Sequence, residues 1–212
     1  MRNKYWMGGV ALCAVLAFAT PALATPAPAG PDWAAAAAHG TTGGGPEATV
    51  ARLFTQADTP GDVPYGSGDI TAIKVEHRAS TVRLSLRTKL GSNPATSASW
   101  RGGYTWIVWA IDVNNGGGPD FLAGIFNDGS GGVFTEVVRN DANYTHRCGT
   151  TFTHNESNQF QIEFDRSCIS SHPAIRVYAT MQYDRYPTNP SAPVSVDYSP
   201  NATWTPNVSR AT

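Results

Sequence analysis

The sequence has little cysteine, little methionine and little charge. Its 212 residues include 3 Cys and 3 Met, and charged residues make up 15%. The 15 basic residues form no run and are matched by 16 acidic ones, so we expect no nucleic-acid partner. No HExxH zinc motif and no GxSxG nucleophile elbow occurs, which leaves metalloprotease and α/β-hydrolase chemistry without a sequence signature.

A long hydrophobic run is also missing, and the one short apolar stretch lies at the start of the chain. Arg2 and Lys4 precede an uncharged segment over residues 6–18, and Ala22 and Ala24 stand at the −3 and −1 places of an A-x-A site. These three parts predict a signal peptide over residues 1–24, a secreted protein (extracellular or cell envelope) and no membrane attachment after cleavage. The alternative is an uncleaved anchor, for which the apolar stretch is shorter than the roughly 20 residues of a membrane span.

Cleavage removes one cysteine and leaves Cys148 and Cys168. An even number of cysteines in an exported chain predicts a disulfide between them. Two free thiols are the alternative, and two cysteines alone are too few for a structural zinc site.

The rest of the chain divides by composition. Residues 25–46 are rich in Ala, Pro and Gly, which predicts a flexible leader because such a segment buries too little surface to offset its ordering entropy. Residues 47–212 are expected to form a single domain, including a C-terminal segment rich in Pro, Ser and Asn. We expect a monomer.

Alternating polar and apolar residues predict about eight strands. Ile73–His77 and Val82–Leu86 are predicted to form a hairpin, and Tyr104–Asp112, apolar on both faces, is predicted to be a central strand covered on both sides. The other predicted strands are Phe121–Phe126, Val133–Val138, Phe160–Asp165, Ile175–Gln182 and Val194–Tyr198. Ala48–Phe54 fits a strand or a short helix. The spacing predicts an all-β, antiparallel β-sandwich of jelly-roll or immunoglobulin-like type.

One Gly-rich loop is a candidate calcium site. Asp112, Asn114 and Asp120 place oxygen-bearing side chains around glycines at a strand end, and calcium takes six to eight oxygen ligands. Asn127 and Asp128 are candidates for additional ligands. The alternative is ordinary turn chemistry, in which Asn, Asp and Gly dominate.

A second acidic loop contains Asp58, Asp62 and Asp69. The same reasoning applies to it, with the Asp112 loop as the preferred site.

Three tryptophans in or beside predicted strands are candidate ligand-binding residues. Aromatic rings stack on the apolar faces of sugars, so Trp100, Trp106 and Trp109 predict binding of extracellular polysaccharide. The alternative is that these rings belong to the core, where large aromatic residues of strands are mostly found.

Three stretches carry a resemblance to known proteins. They are Gly61-Asp62 with Gly68–His77, Asp165–Ile169 with Cys148, and Val196–Pro200 leading to Trp204–Pro206. In this order they resemble a group of small secreted bacterial β-sandwich proteins, and the opening is similar to family-9 carbohydrate-binding modules and DOMON domains. The resemblance implies a β-sandwich. Family-9 modules bind sugar through aromatic side chains and carry calcium, but none of their binding aromatics is matched to a residue of this chain.

Three functions remain open from the sequence. The first is a secreted, non-catalytic binding module for carbohydrate, supported by calcium. The second is a secreted hydrolase with a site assembled from distant residues. The third is a structural or interaction domain of the cell envelope.

Overall fold

Two antiparallel sheets pack against each other in the computed structural model, which describes residues 52–155, 158–189, 192–200 and 203–212. This confirms the predicted all-β sandwich. The predicted signal peptide and leader lie outside the described residues. Within the described part of the chain, the only helices are too short to cross a membrane.

The described strands number twelve, against about eight predicted. In chain order they are β1 (Arg52–Ala57), β2 (Ile70–His77), β3 (Thr81–Thr88), β4 (Trp106–Asp112), β5 (Phe121–Asn127), β6 (Val133–Arg139), β7 (His146–Gly149), β8 (Thr151–Asn155), β9 (Gln159–Asp165), β10 (Ala174–Tyr183), β11 (Ser195–Ser199) and β12 (Val208–Ser209). A short helix, α1 (Ala98–Arg101), precedes β4, and a 3-10 helix (Arg166–Ile169) follows β9. The four strands outside those eight are β1, β7, β8 and β12, all of six residues or fewer. Where Ala48–Phe54 fitted a strand or a short helix, the described part, from Arg52 on, is a strand.

The strand order places the two ends of the chain's described part on one side of the sandwich. One sheet has five strands in the order β1-β2-β3-β9-β8. The other has seven strands, with β11-β10-β4-β5-β6-β7 as its path and β12 paired with β10. The predicted hairpin is β2–β3, joined at residues 78–80 with His77 opposite Val82.

The core lies between the inner faces of the two sheets. Alternate residues of each strand point inward, because the side-chain period of a strand is two. The five-stranded sheet contributes Val75, Leu84 and Ile162, and the seven-stranded sheet contributes Ile125 and Val177, all with no exposed surface. Together such residues form one continuous hydrophobic cluster.

Strand β4 is central, as predicted, and its outer face is covered only in part. Its inner face carries Ile107 and Ile111, which are fully buried. On its outer face Trp106 and Val108 keep part of their surface exposed. The other outer-face residues, Ala110 and Asp112, are 2% and 1% exposed, so the predicted cover on both sides is found along the C-terminal half of β4.

Cys148 and Cys168 form the predicted disulfide, with Cα atoms 5.9 Å apart. Cys148 lies on β7 at the edge of the seven-stranded sheet, and Cys168 lies in the 3-10 helix after β9 of the five-stranded sheet. The bond therefore links the two sheets. A disulfide of this kind is typical of exported proteins.

Candidate metal centre

Three aspartates from two distant parts of the chain meet at one side of the sandwich. Asp62 and Asp69 belong to the segment between β1 and β2, and Asp197 lies in the middle of β11. One carboxylate oxygen from each lies within 4.8 Å of the others. We call this group, Asp62, Asp69 and Asp197, the acidic trio.

Strand geometry explains how Asp197 reaches the trio. In β11 the inward positions are polar: Ser195, Asp197 and Ser199 are buried, whereas Tyr198 is 45% exposed. Asp197 Oδ2 accepts a hydrogen bond of 2.6 Å from the Ile70 N–H at the start of β2. The side chain therefore spans from the edge of the seven-stranded sheet to the five-stranded sheet.

Asp69 is the most deeply placed member of the trio. Its Oδ2 accepts a hydrogen bond of 2.7 Å from the Gly61 N–H, and Lys89 Nζ lies 3.9 Å from the same oxygen. Asp69 has no exposed surface, and its Oδ1 is buried with no hydrogen-bond partner among the described residues. A buried carboxylate oxygen without a partner is costly, so it is rarely left without a ligand.

Asp58, directly after β1, adds a fourth carboxylate nearby. It is 6% exposed, and its Oδ1 accepts a hydrogen bond of 2.8 Å from the Thr59 N–H. Its Oδ2 is a second buried oxygen without a hydrogen-bond partner in the described chain. The hydroxyl of Ser199 lies beside Asp58 without reaching good hydrogen-bond geometry.

Burial and mutual repulsion disfavour the charged forms of these groups. Burial raises the pKa of Asp197 to about 7, and the charges of Asp62 and Asp58 add to the rise, while the Ile70 N–H opposes it. Burial also raises the pKa of Asp69 and of Asp58, again with repulsion from Asp62. A divalent cation beside the trio would relieve both the lost hydration and the repulsion.

The donor atoms fit a hard cation. All of them are carboxylate oxygens, which suit calcium, magnesium or manganese rather than zinc or copper. Calcium tolerates irregular coordination with carbonyl and water ligands added, whereas magnesium demands a near-ideal octahedron. The trio combines side chains from a loop and from a strand, and two of them also accept hydrogen bonds from backbone N–H groups. Such an irregular set of ligands fits calcium better than magnesium.

The preferred sequence candidate, the Asp112 loop, has a different chemistry. Asp112 Oδ1 accepts hydrogen bonds from the N–H groups of Asn114 (3.0 Å) and Asn115 (2.8 Å), and its Oδ2 is ion-paired with Arg176. Burial acts to raise the pKa of Asp112, but the Arg176 guanidinium and the N–H groups of Asn114 and Gly117 outweigh it and hold the pKa below its ordinary value. The positively charged guanidinium of Arg176 already lies where a metal ion would have to bind Asp112.

The other predicted ligands of that loop bind each other. Asp120 Oδ2 accepts from the Val113 N–H (2.9 Å), and Asp120 Oδ1 accepts from Asn114 Nδ2 (2.7 Å). Asn127 and Asp128 lie at the opposite end of β5 from Asp120 and stabilise their own turn. These contacts match the turn chemistry that was the alternative. Calcium at Asp112, Asn114 and Asp120 stays a prediction that the geometry does not favour.

The three candidate tryptophans separate into two groups. Trp100 is fully buried, and its Nε1 donates to Ser92 Oγ at 2.8 Å. Trp109 is 1% exposed and points into the core. Neither ring offers a face to a ligand, so the geometry does not favour a binding role for Trp100 or Trp109. Trp106 lies on the outer face of β4, so the prediction of a binding tryptophan now rests on Trp106 alone.

Sequence reasoning missed Asp197. The polar residues of β11 look solvent-facing beside Val196 and Tyr198, yet the strand turns its polar side inward. The available signal was the group of aspartates at Asp58, Asp62 and Asp69, which need a partner from elsewhere in the chain.

No protein-family model matches this sequence, and no curated protein matches it. The fold therefore defines the class, a disulfide-linked two-sheet antiparallel β-sandwich with a buried acidic trio.

Proposed function

We propose that this protein is an extracellular, non-catalytic binding module that is stabilised by calcium at the acidic trio. The observation that carries the proposal is the buried Asp69 Oδ1, which lacks a partner while two further carboxylates stand within 4.8 Å. A bound cation would stabilise the contact between β2 and β11, because Asp197 of β11 already accepts a hydrogen bond from Ile70 of β2.

The ligand class follows from the same proposal. Extracellular polysaccharide is supported by the resemblance to family-9 modules and by the partly exposed ring of Trp106. Cleavage chemistry has less support. Glu76 and Glu163 share ion pairs with Arg78 and Arg83 on the outer face of the five-stranded sheet.

Those ion pairs make Glu76 a poor general acid. Burial acts to raise its pKa, but Lys74 and Arg78 outweigh burial and lower it. A glycosidase acid needs a raised pKa and a second carboxylate facing it across the substrate. The arrangement fits a structural ion-pair network better than a hydrolase site.

Thermal unfolding in EDTA, calcium and magnesium tests the proposed cation. Calcium binding to the folded state alone adds about 2.7 kcal/mol at a free concentration of 100 times Kd. For a domain of this size we expect the melting temperature to rise by roughly 5–11 °C, and much less with magnesium.

Asp62→Asn is the decisive variant because Asp62 is exposed and its loss leaves the core intact. It should remove the calcium response and leave the EDTA form as stable as wild type or slightly more so, since repulsion falls. Asp128→Asn, in the exposed β5–β6 turn, is the matched control and should keep the full response. A calcium response that survives Asp62→Asn, or none in wild type, would overturn the proposed site.

A further inference from the structure

The outer face of the seven-stranded sheet carries aromatic residues where polar ones are usual. Trp106 on β4, Phe126 on β5 and Phe134 on β6 point outward, while their neighbours Ile107 and Ile125 are fully buried. We call these three rings, Trp106, Phe126 and Phe134, the aromatic strip. An antiparallel sheet usually presents polar residues to water.

The strand register aligns the three rings. Phe126 pairs with Phe134, and Trp106 lies one residue beyond the Ile107–Ile125 pair. The rings of Phe126 and Phe134 are stacked, with centroids 5.2 Å apart and planes 20° from parallel. Adjacent strands are about 4.8 Å apart, so the strip runs across three strands over roughly 10 Å.

A glycine supports this arrangement. Gly124 lies on the same outer face of β5, and a Cβ there would collide with the ring atoms of Phe126. The Phe126 ring therefore lies over the Gly124 backbone and does not project freely into solvent. Gly124 is paired with Val108 and Glu136 inside the sheet, so the support is rigid.

The strip is partly exposed: Trp106 and Phe126 are half-buried, and Phe134 is the most exposed of the three rings. Phe134 is 46% exposed, and Tyr198 on the same face is 45% exposed. One carboxylate lies on the same face beside the strip: Glu136 is two residues from Phe134 on β6 and opposite Gly124 on β5, and its Oε2 lies 3.1 Å from His146 Nδ1. Apolar rings rimmed by polar residues are typical of ligand-binding grooves.

A polar cleft begins where the strip ends. Gln182 pairs with Trp106 in the register of β10 and β4, and it lines a cleft of about 350 Å³. The cleft is also lined by Tyr104, Asp184, Asn189, Ala192, Pro193 and Val194. Tyr104 is 49% exposed. Amide and carboxylate groups beside exposed rings can bind hydroxyl groups and the apolar faces of sugar rings together.

We infer that the aromatic strip binds a neutral polysaccharide chain that lies across β4, β5 and β6, with its end directed to the Gln182 cleft. The Glu136 carboxylate beside the strip favours a neutral glycan over an acidic one, because like charges repel. Three rings are too small an apolar area for a stable protein interface, which buries about 1,200 Å² or more. The inference rests on the proposed binding function and locates its ligand.

Retention on insoluble polysaccharides tests the inference. Wild type is incubated with cellulose, chitin, xylan, mannan and starch in calcium buffer, and bound protein is measured across a concentration series. Phe134→Ala should weaken retention about tenfold, which is the effect of losing one stacking ring of about 1.4 kcal/mol. Phe134 is exposed, so folding should be unaffected; Trp106→Ala is the second variant, checked by its melting temperature.

Tyr144→Ala is the matched control. Tyr144 is 40% exposed and lies in the loop beyond the other end of β6, so its loss should leave retention unchanged. If wild type is retained and both Phe134→Ala and Trp106→Ala are retained equally well, the strip is not the glycan site, although the binding function still stands. No retention on any of the five polymers would overturn both. A dimer in light scattering that Phe134→Ala dissociates would overturn the strip as the glycan site.

Discussion

The carboxylate of Asp197 accepts a hydrogen bond of 2.6 Å from the N–H of Ile70, a residue 127 positions earlier in the chain. This contact ties β11, at the edge of one sheet, to the first residue of β2 in the other. The charge that makes the contact is itself disfavoured by burial. Stability at this point of the fold therefore depends on pH and on any cation bound there.

The first prediction concerns pH. The folded pKa of Asp197 is about 7, above its ordinary value of 3.8, so the folded state holds more protons than the unfolded state between these values. The contribution of Asp197 to the free energy of unfolding should therefore fall as pH rises from about 4 to 7. Urea unfolding in EDTA at pH 4, 5.5 and 7 measures this contribution as the difference in unfolding free energy between wild type and Asp197→Asn.

Calcium supplies the control for that measurement. The cation requires the deprotonated carboxylate, so its stabilising effect should grow over the same pH range. A difference between wild type and Asp197→Asn that does not change with pH in EDTA would contradict the prediction.

The second prediction concerns the ion pair of Arg176 with Asp112. Asp112 is 1% exposed, so Arg176→Met would leave a buried carboxylate without its cation. We expect the free energy of unfolding to fall by roughly 3 kcal/mol. The double variant Arg176→Met with Asp112→Asn should recover part of the loss, because it removes the uncompensated charge. The Arg176 Cζ atom also lies 5.4 Å from the centroid of the Trp204 ring. Equal losses of unfolding free energy in the single and double variants would show that this packing contributes more than the ion pair.

The third prediction concerns the disulfide. Cys148 and Cys168 are 20 residues apart in the chain, and closing a loop of that size stabilises the native state by about 3 kcal/mol. Replacing both cysteines with serine should lower the free energy of unfolding by that amount. Thiol titration of native exported protein should find no free sulfhydryl, and two reactive thiols there would refute the bond.

The fourth prediction separates the inner and outer faces of β4. Trp109→Ala opens a cavity in the core and should cost about 3–5 kcal/mol in unfolding free energy. Trp106→Ala, on the outer face, should cost less than half of that. Denaturant melts of the two variants compare them directly, and similar costs would mean that the outer face of β4 is covered.

The sandwich was predictable because its strands repeat with period two. The β2–β3 hairpin follows from alternation at Ile73–His77 and Val82–Leu86, and central β4 follows from the apolar residues on both faces of Tyr104–Asp112. Short edge strands such as β7 and β12 escaped prediction because two to four residues carry too little periodicity. Their pairing depends on neighbours that are distant in sequence.

The site was less predictable than the fold, for a physical reason. Asp112 and Asp120 look like metal ligands in sequence, but Arg176 from β10 supplies the counter-charge. Asp62 and Asp69 gain their third carboxylate from β11. In both cases a residue more than 60 positions away determines the chemistry of a local loop. The spacing of residues within the loop therefore cannot predict it.

The two sides of the sandwich are closed by different kinds of bond. On one side the chain passes from β7 to β8 through Thr150 alone, and the disulfide lies next to this crossing. On the other side Asp197 and the acidic trio join the sheets without any covalent link. We therefore expect the second side to open more readily than the first. Native-state hydrogen exchange should proceed faster at Ile70 and β11 than at β7, and the concentration of free cation should set the difference.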